Sequence, residues 1–341
     1  MTSINETEDL PAPASAGLAR RVALIVAVAF FMQLLDSTII STSLPQMGTS
    51  FGVPAVAMSI GITVYMLTMA VFVPLSGWLA DRFGARNVFL LAIALFTLAS
   101  LACGLSHGLD EFVAARAVQG LGSALMTPVG RILVLRNASK SELLEATALI
   151  TWPALFAPVI GPVLGGFITT ALSWHWNFFI NIPLGFVGFA LVARYVPDTR
   201  EADAKPLDWT GFMLTGIGLG AMLYGLERIA HPEDGLKPTF ILLGAGLVVG
   251  WLAVRHLRQA RHPLLDLGAF RVQTFALSTL SAGTIFRVAI NATPFLLPLL
   301  FQVGFGLSPV DAGVMILAYF LGNLGMKAVT TPTLRRFGFR R

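Results

Sequence analysis

The stretch Gly77-Trp-Leu-Ala-Asp-Arg-Phe-Gly-Ala-Arg86 is short, charged and bounded by glycines, and it separates two long apolar runs. The run before it, residues 57–79, is long enough to cross the hydrocarbon core of a bilayer, which takes about 20 residues as a helix. Because the connection is so tight, the two runs must be antiparallel neighbours. Its arginines indicate which side of the membrane it faces. The stretch therefore predicts two membrane helices joined by a charged turn.

The composition of the chain indicates a polytopic membrane protein. Hydrophobic residues make up 55% of the sequence, charged residues make up 12%, and the mean hydropathy is +0.77. A soluble domain carries about 25% charged residues, so this chain has too few of them to cover itself with a polar surface. Cys103 is the only cysteine and lies in an apolar run, so no intrachain disulfide is expected.

Ten apolar runs are long enough to be membrane helices, and none shows a sustained period of two. They lie near residues 22–44, 57–79, 88–106, 112–134, 146–170, 176–195, 209–227, 238–256, 273–301 and 309–330. Arg20 and Arg21 precede the first run, but no small-residue cleavage site follows, so a retained helix is predicted rather than a signal peptide. Residues 1–19 are polar and contain prolines, which predicts a disordered cytoplasmic tail.

The distribution of basic residues predicts the orientation. With the N-terminus in the cytoplasm, Arg228 and Lys237 fall outside and Arg116 and Arg287 lie within spans, whereas the rest of the 23 Lys and Arg residues face the cytoplasm. Such asymmetry predicts a multi-pass protein of the cell (inner) membrane with both termini cytoplasmic. It also places the net charge of +5 beside anionic lipid headgroups, so the charge does not require a nucleic acid partner.

A short motif occurs twice. The segment RFGAR at 82–86 returns as RFGFR at 336–340, each time on the cytoplasmic side after an even-numbered span. A match of five residues can also arise by chance or from snorkelling arginines. Its equivalent topological position favours the parallel repeat that characterises transporters with two similar halves.

Five motifs in order support a family resemblance. They are Leu35–Pro45 with Asp36, the stretch 77–86, RAVQG at 116–120, GPVLGG at 161–166 and WHWNFFINIPLG at 174–185. Together they resemble the fourteen-helix drug:proton antiporter branch of the major facilitator superfamily. The resemblance implies an all-α polytopic membrane fold. It would comprise a six-helix N-terminal bundle (20–196), an inserted helix pair with cytoplasmic linkers (197–271) and the first two helices of an incomplete C-terminal bundle (272–341).

The resemblance also implies a function. The chain would be a monomeric, proton-coupled antiporter that exports small drug-like or amphiphilic compounds by alternating access, without a cofactor. The sequence lacks His-Glu-x-x-His and Gly-x-x-x-x-Gly-Lys-Ser/Thr motifs. We therefore expect no enzyme activity, catalytic residue, metal site or nucleotide partner. The alternative is a truncated membrane protein that cannot transport, because about four helices of the second bundle are lacking.

Asp36 is the first candidate for proton coupling. An ionised carboxylate deep in a span is expensive, so it should have a partner or a shifted protonation equilibrium. The functional hypothesis is a site that responds to protons or cations. The alternative is a carboxylate that only holds neighbouring helices together.

Two further spans carry polar candidates. Arg116 lies about one and a half turns into its span, and Gln119 shares its face beside Gly120, which would let another helix approach. In the family the matching Arg is implicated in proton transfer; the alternative is an Arg that snorkels to the surface. Arg287 and Asn291 lie at i and i+4 in span 9 and would face the cavity, unless the span is displaced toward an interface.

Two motifs are expected to shape the bundle. The cytoplasmic gate would consist of Gly77, Asp81, Arg82, Gly84, Arg86 and Arg131. In it Asp81 would meet a cationic side chain such as Arg131, or a positive helix N-terminus, and hold that side shut. The antiporter motif, whose small residues would allow close helix packing, consists of Gly161, Pro162, Gly165 and Gly166.

Overall fold

A computed structural model describes residues 16–139, 141–198, 206–229, 236–280 and 282–337, and the regular elements within them are helical. The first half contains α1 (Ala16–Ile39), α2 (Leu44–Phe51), α3 (Ser59–Phe72), α4 (Leu75–Phe83), α5 (Ala85–Gly104), α6 (Leu109–Asn137) and α7 (Leu143–Ala171). The second half contains α8 (Trp176–Phe179), α9 (Asn181–Tyr195), α10 (Trp209–Ile229), α11 (Leu236–Gln259), α12 (Gln273–Leu280), α13 (Ala282–Leu299) and α14 (Pro309–Phe337). Each of the ten predicted spans falls on one or two of these helices.

Long apolar helices dominate the described part of the chain. Within it, seven helical segments are long and apolar enough to cross a membrane. They are Gly17–Thr42, Ala55–Phe72, Ala85–Gly104, Leu109–Asn137, Trp176–Tyr195, Trp209–Ile229 and Leu236–Gln259. Val159–Ala171 in α7 and Pro309–Gly322 in α14 are shorter apolar segments. The prediction of an all-α polytopic membrane protein is confirmed.

The stretch 77–86 is mostly helical and not the short charged turn that we predicted. The preceding span is broken at Pro74, whose missing N–H cannot continue the hydrogen-bond ladder of α3. The chain then resumes as α4, which runs through Asp81 to Phe83. The connection to α5 is Gly84 alone, with φ +89° and ψ +130°, a conformation that glycine adopts without a steric penalty.

Other span boundaries also differ from the prediction. The first span becomes a 3₁₀ turn at Ile40–Thr42 instead of continuing as a helix to residue 44. The run 273–301 is divided between α12 and α13 and ends in a π-helical turn, Leu300–Gly304. Apolar composition predicts which segments cross the membrane, but it carries no information on such local changes of helix type.

Besides a smaller apolar cluster around Met47 and Trp174, the helices up to α9 pack around one main apolar core. Helix α1 contacts α6, α7 and α9, while α5 packs along α6 and α9. Phe89, Phe96 and Val129 are fully buried in this core. The alternating helices place the α4–α5 and α6–α7 connections at one end, here called the Gly84 end. The α1–α2 and α7–α8 connections lie at the opposite end, called the Gln46 end.

The later helices attach to this bundle at two places. Helices α10 and α11 pack together through small residues, with a Cβ built on Gly218 lying 3.1 Å from the Gly250 nitrogen. Helix α10 also lies along α3, where the Phe72 and Phe212 ring centroids are 5.7 Å apart. Helix α14 packs on α7. The predicted domain boundaries remain a prediction, and most of the tail 1–19 and of the second motif copy at 336–340 lies outside the described residues.

Candidate functional site

A buried ion pair lies inside the bundle. Arg116 Nη1 on α6 donates to Asp36 Oδ2 on α1 at 2.8 Å, and the two side chains are 1% and 0% exposed. The expectation that Asp36 has a partner is confirmed. The snorkelling alternative for Arg116 is wrong, because its guanidinium is enclosed by protein. A buried charge pair of this kind requires further hydrogen bonds to offset its desolvation.

Three neutral side chains complete the network. Asp36 Oδ1 accepts hydrogen bonds from Gln119 Nε2 at 2.9 Å and from Asn181 Nδ2 at 2.7 Å. Arg116 Nη1 also donates to Gln119 Oε1 at 2.6 Å, and Gln119 Nε2 donates to Ser100 Oγ at 2.8 Å. These five residues, here called the Asp36 cluster, come from α1, α5, α6 and α9. Arg116, Gln119 and Asn181 all donate to Asp36, as an ionised carboxylate requires, because it accepts hydrogen bonds without donating any.

Helix α3 closes the cluster over Arg116. The guanidinium carbon lies 4.2 Å from the Tyr65 ring centroid, and Arg116 Nε donates to the Gly61 carbonyl at 3.3 Å. This approach depends on Gly120, where an added Cβ would lie 2.5 Å from the Tyr65 carbonyl oxygen. The predicted role of Gly120 in close helix approach is confirmed.

Sequence reasoning missed two members of the Asp36 cluster. Asn181 was quoted within a motif but given no role, and Ser100 was not considered. Both are fully buried polar residues within apolar runs. The available signal was the cost of burying such groups, which means that each needs a hydrogen-bond partner.

The gate residue Asp81 has a different partner from the one we expected. Arg136 Nη2 donates to Asp81 Oδ1 at 2.7 Å, so Asp81 does meet a cationic side chain, but this is Arg136 and not Arg131. Both arginines lie on α6, but five residues rotate a helix by about 140°. Arg131 therefore points elsewhere.

The other gate residues are distributed around the Gly84 end. Arg86 Nη2 donates to the Ala193 carbonyl of α9. Arg82 is exposed. Gly77 lies within α4, where an added Cβ would meet nothing within 4 Å.

A cavity of about 390 Å³ opens between α1, α6 and α7 near the Gly84 end. Phe30, Leu34, Val134, Leu135 and Ile150 give it apolar walls, and its polar groups come from Arg131, Thr127, Thr147 and Thr151. Such a mixture suits a small, partly apolar molecule. In the described part of the chain, no group of three or more His, Cys, Asp or Glu residues could hold a metal ion.

A comparison with protein families matches residues 26–341 to the model described as Major Facilitator Superfamily. The chain belongs to the Major Facilitator Superfamily. This is a family of membrane transporters.

Individual proteins of the superfamily resemble the chain closely. A protein named "Putative multidrug resistance protein MdtD" from Escherichia coli is 41% identical over 323 residues, which cover 93% of this chain and 67% of that protein. A protein of the same name from Shigella boydii has the same identity and coverage.

Solved transporter structures share the fold. A POT family transporter in complex with a thioalcohol-conjugated peptide superposes with a TM-score of 0.67 at 16% identity, covering 94% of this chain and 71% of that one. A D-xylose-proton symporter gives a TM-score of 0.60 at 16% identity, with 93% and 69% covered. The Major Facilitator Superfamily fold predicted from the motifs is confirmed.

The superfamily's small-residue motif on α7 makes two helix contacts. An added Cβ would lie 2.1 Å from Thr38 Oγ1 at Gly161 and 2.5 Å from the Ile39 carbonyl oxygen at Gly165, so both glycines face α1. At Gly166 it would lie 2.4 Å from the Pro309 carbonyl oxygen at the start of α14. The prediction of close helix packing is confirmed.

Three further candidate residues are Pro162, which lies at the α7–α14 contact, and Arg287 and Asn291 on α13. The Pro162 carbonyl oxygen lies 2.7 Å from a Cβ built on Gly313 of α14, so this proline also belongs to the α7–α14 contact. Arg287 is exposed on α13. The side chain of Asn291 lies outside those that the structure describes, and the proposed transport role of both residues stays a prediction.

Proposed function

We propose that this chain acts as a proton-coupled antiporter that exports small, partly apolar compounds by alternating access. The observation that carries the proposal is the Asp36–Arg116 pair, buried at 0% and 1% side-chain exposure inside a membrane bundle. Ionisable residues inside membrane helices are costly and mark ion or proton pathways. Membership of a transporter family and the resemblance to proteins named for multidrug resistance support the same function.

Protonation of Asp36 would be the coupling event. As a carboxylate, Asp36 accepts hydrogen bonds from Arg116, Gln119 and Asn181, which join α1 to α6 and α9. A proton on Asp36 would remove the counter-charge of Arg116 and introduce a donor where three donors already converge. The bound proton would therefore favour a different arrangement of these helices, which is the differential interaction that a conformational switch requires.

Substrate would bind in the cavity between α1, α6 and α7. Its volume of about 390 Å³ and its apolar walls with three threonines suit a small amphiphilic molecule. Because α1 and α6 also hold Asp36 and Arg116, a change in their packing would change the cavity. Proton binding and substrate release would thus be coupled through shared helices.

The basic residues support an orientation for this cycle. Arg82, Arg86, Arg131 and Arg136 cluster at the Gly84 end, which would face the cytoplasm of the cell (inner) membrane. The α7–α14 contact at Gly166 and Pro309 lies toward the Gln46 end. The structure would accordingly represent an inward-facing state, with both termini cytoplasmic. The chain would act as a monomer in the bilayer, with substrate and protons as partners and without nucleotide or nucleic acid.

The test is drug efflux in inverted membrane vesicles with a proton gradient that can be collapsed. Wild-type chain is expected to accumulate substrate only while the gradient persists, and Asp36→Asn is expected to abolish this coupling at equal protein level. Asp266→Asn is the control, because Asp266 is an exposed loop carboxylate. Undiminished coupling in Asp36→Asn would exclude the proposed role. Absence of transport by the wild-type chain would support the transport-incompetent alternative.

A further inference from the structure

Two fully buried asparagines lie one helical turn apart. Asn177 on α8 is 1% exposed and Asn181 on α9 is 0% exposed. Ile180 at the junction keeps helical dihedral angles (φ −59°, ψ −25°), so the two side chains project from the same face. Their Oδ1 atoms are buried and accept no hydrogen bond from the described residues. Buried amide oxygens of this kind require a donor, because leaving one unsatisfied is costly.

Each asparagine belongs to a separate polar network. Asn181 Nδ2 donates to Asp36 Oδ1, as described above. Asn177 Nδ2 donates to Ser43 Oγ at 2.5 Å and to Thr169 Oγ1 at 2.9 Å, and Thr169 Oγ1 donates to Ser43 Oγ at 3.3 Å. Ser43 and Thr169 are 0% and 1% exposed. Each network thus leaves one asparagine oxygen without a donor among the described residues, at Asn177 and at Asn181.

Water fits the chemistry of these two oxygens. A water on each oxygen can donate one hydrogen to that amide and keep the second for the neighbouring water or for Asp36, and ordered water is the usual way in which such buried polar groups are satisfied. Side chains at i and i+4 are close enough, at about 5–6 Å between Cβ atoms, for two such waters to contact each other. The waters would join the two networks into one path.

The Asn177 network lies beside an exposed residue at the Gln46 end. Gln46 is exposed, and its Nε2 donates to the backbone carbonyl of Thr169, whose hydroxyl belongs to that network, at 3.2 Å. We propose that Ser43, Thr169, Asn177 and Asn181 form a hydrated polar route that carries protons between the Gln46 end of the bundle and Asp36. This inference rests on the proposed function, since it supplies the proton that the antiporter uses.

The transfer is a simple protonation. A proton from water at the Gln46 end passes along hydroxyls and ordered water and bonds to a carboxylate oxygen of Asp36, while the amides of Asn177 and Asn181 position the water without titrating. Among the described residues, the ionisable groups that face Asp36 are Arg116 from α6, Cys103 from α5 and Tyr65 from α3. Helix α9 brings the neutral Asn181, and α7 meets α1 through uncharged glycines.

The experiment follows Asp36 directly. The full chain is reconstituted in liposomes with a single orientation, and the infrared band of the protonated Asp36 carboxyl, assigned by its loss in Asp36→Asn, is recorded after a pH jump on one side. Asn177→Leu is expected to slow protonation from the Gln46 side by about tenfold, because it removes the amide that positions the water and leaves an apolar side chain in its place. The pH midpoint should stay unchanged, because Asn177 does not contact Asp36.

Two variants separate proton delivery from packing. Asn177→Ser leaves a hydroxyl and room for water, so it should keep nearly the wild-type rate. Asn137→Leu removes a buried asparagine near the Gly84 end, whose Nδ2 donates to the Leu133 carbonyl, and should not affect delivery from the Gln46 side. A wild-type rate of protonation in Asn177→Leu would overturn the route but not the proposed function. Slowing in Asn177→Ser equal to that in Asn177→Leu would do the same. If no pH jump produces an Asp36-dependent band, the route and the proposed function both fail.

Discussion

Arg116 Nη1 lies 2.8 Å from Asp36 Oδ2 although the two residues are 80 positions apart in the chain. Both side chains are almost inaccessible to solvent. A buried ion pair of this kind adds little net stability, because the desolvation of two charges roughly cancels their attraction. Losing one partner is different, since the other charge is left buried and uncompensated. The pair therefore fixes how α1 and α6 sit together more than it stabilises the fold.

The effects of substituting Asp36 and Arg116 on the free energy of unfolding should therefore not be additive. Arg116→Met should lower the free energy of unfolding by about 3–5 kcal/mol, because it leaves the Asp36 carboxylate buried without its counter-charge. The double variant Asp36→Asn/Arg116→Met should lose less than Arg116→Met alone. Denaturation in mixed detergent micelles, followed by tryptophan fluorescence, measures both. Additive losses would mean that the two charges do not depend on each other.

Gly84 makes a second prediction. Its φ of +89° is in the region that L-residues rarely adopt, so Gly84→Ala should cost about 1–3 kcal/mol. The matched control is Gly77→Ala in α4, where an added Cβ has open space and alanine favours the helix. Thermal denaturation in detergent compares the two. Equal changes in Tm would show that helix propensity, and not the backbone angle at Gly84, decides the effect.

The sequence predicts the helices of this fold better than it predicts the contacts between residues that are distant in the chain. Each apolar run falls on helix, because about 20 consecutive apolar residues have few other solutions in a membrane. The need of Asp36 for a partner followed from the cost of a buried charge. The identity of that partner did not, because a contact between α1 and α6 depends on how the helices are rotated and shifted against each other. Asn181 was missed for the same reason.

Helical phase explains the error at the gate. Arg131 and Arg136 are equally basic and lie near the same end of α6, so charge alone cannot choose between them. Only the orientation of α6 against α4 brings Arg136 to Asp81. Likewise Pro74 was visible in the sequence, but a proline inside a membrane helix can be accommodated by its neighbours. Whether it bends or ends the helix depends on packing.

Close packing of α7 makes a third prediction. An added Cβ at Gly165 would lie 2.5 Å from the Ile39 carbonyl oxygen, a backbone atom that moves only with α1 itself. Gly165→Ala should therefore cost about 1–3 kcal/mol, as overpacking usually does. Gly244→Ala in α11 meets nothing within 4 Å and is the control. Thermal denaturation in detergent compares the stability of the two variants. A Gly165→Ala protein as stable as the control would contradict the tight α1–α7 contact.

The contact between α10 and α11 should depend on acid. Asp208 Oδ1 accepts hydrogen bonds from His256 Nε2 at 2.7 Å and from the Gly211 amide at 2.8 Å. Burial raises the pKa of Asp208, but the hydrogen bonds from Gly211, His256 and Leu264 together lower it below its usual 3.8. A depressed carboxylate pKa stabilises the fold above the unfolded-state pKa, and that stabilisation is lost as the pH falls through the folded-state pKa.

The contact should therefore persist at neutral and mildly acidic pH and weaken below a pH of about 3.8. Hydrogen exchange of the segment 260–266, whose Leu264 amide donates to Asp208, reports the change. Asp208→Asn should remove this acid dependence, whereas the exposed Asp266→Asn should retain it. An identical acid profile in Asp208→Asn and wild type would assign the transition to other groups.

The Asp81–Arg136 pair should affect conformation more than stability. Its side chains are 41% and 22% exposed, and exposed ion pairs contribute about 0–1 kcal/mol. Exchanging the charges in Asp81→Arg/Arg136→Asp should restore the conformation that Asp81→Arg disrupts. The exchange Asp81→Arg/Arg131→Asp should not restore it, because Arg131 points into the cavity. A Thr151→Cys reporter in that cavity, labelled with a membrane-impermeant thiol reagent, measures opening at the Gly84 end. The native Cys103 is fully buried and should stay unlabelled. If the Arg131 exchange restores wild-type labelling, or if the Arg136 exchange does not, the gate depends on a contact other than Asp81–Arg136.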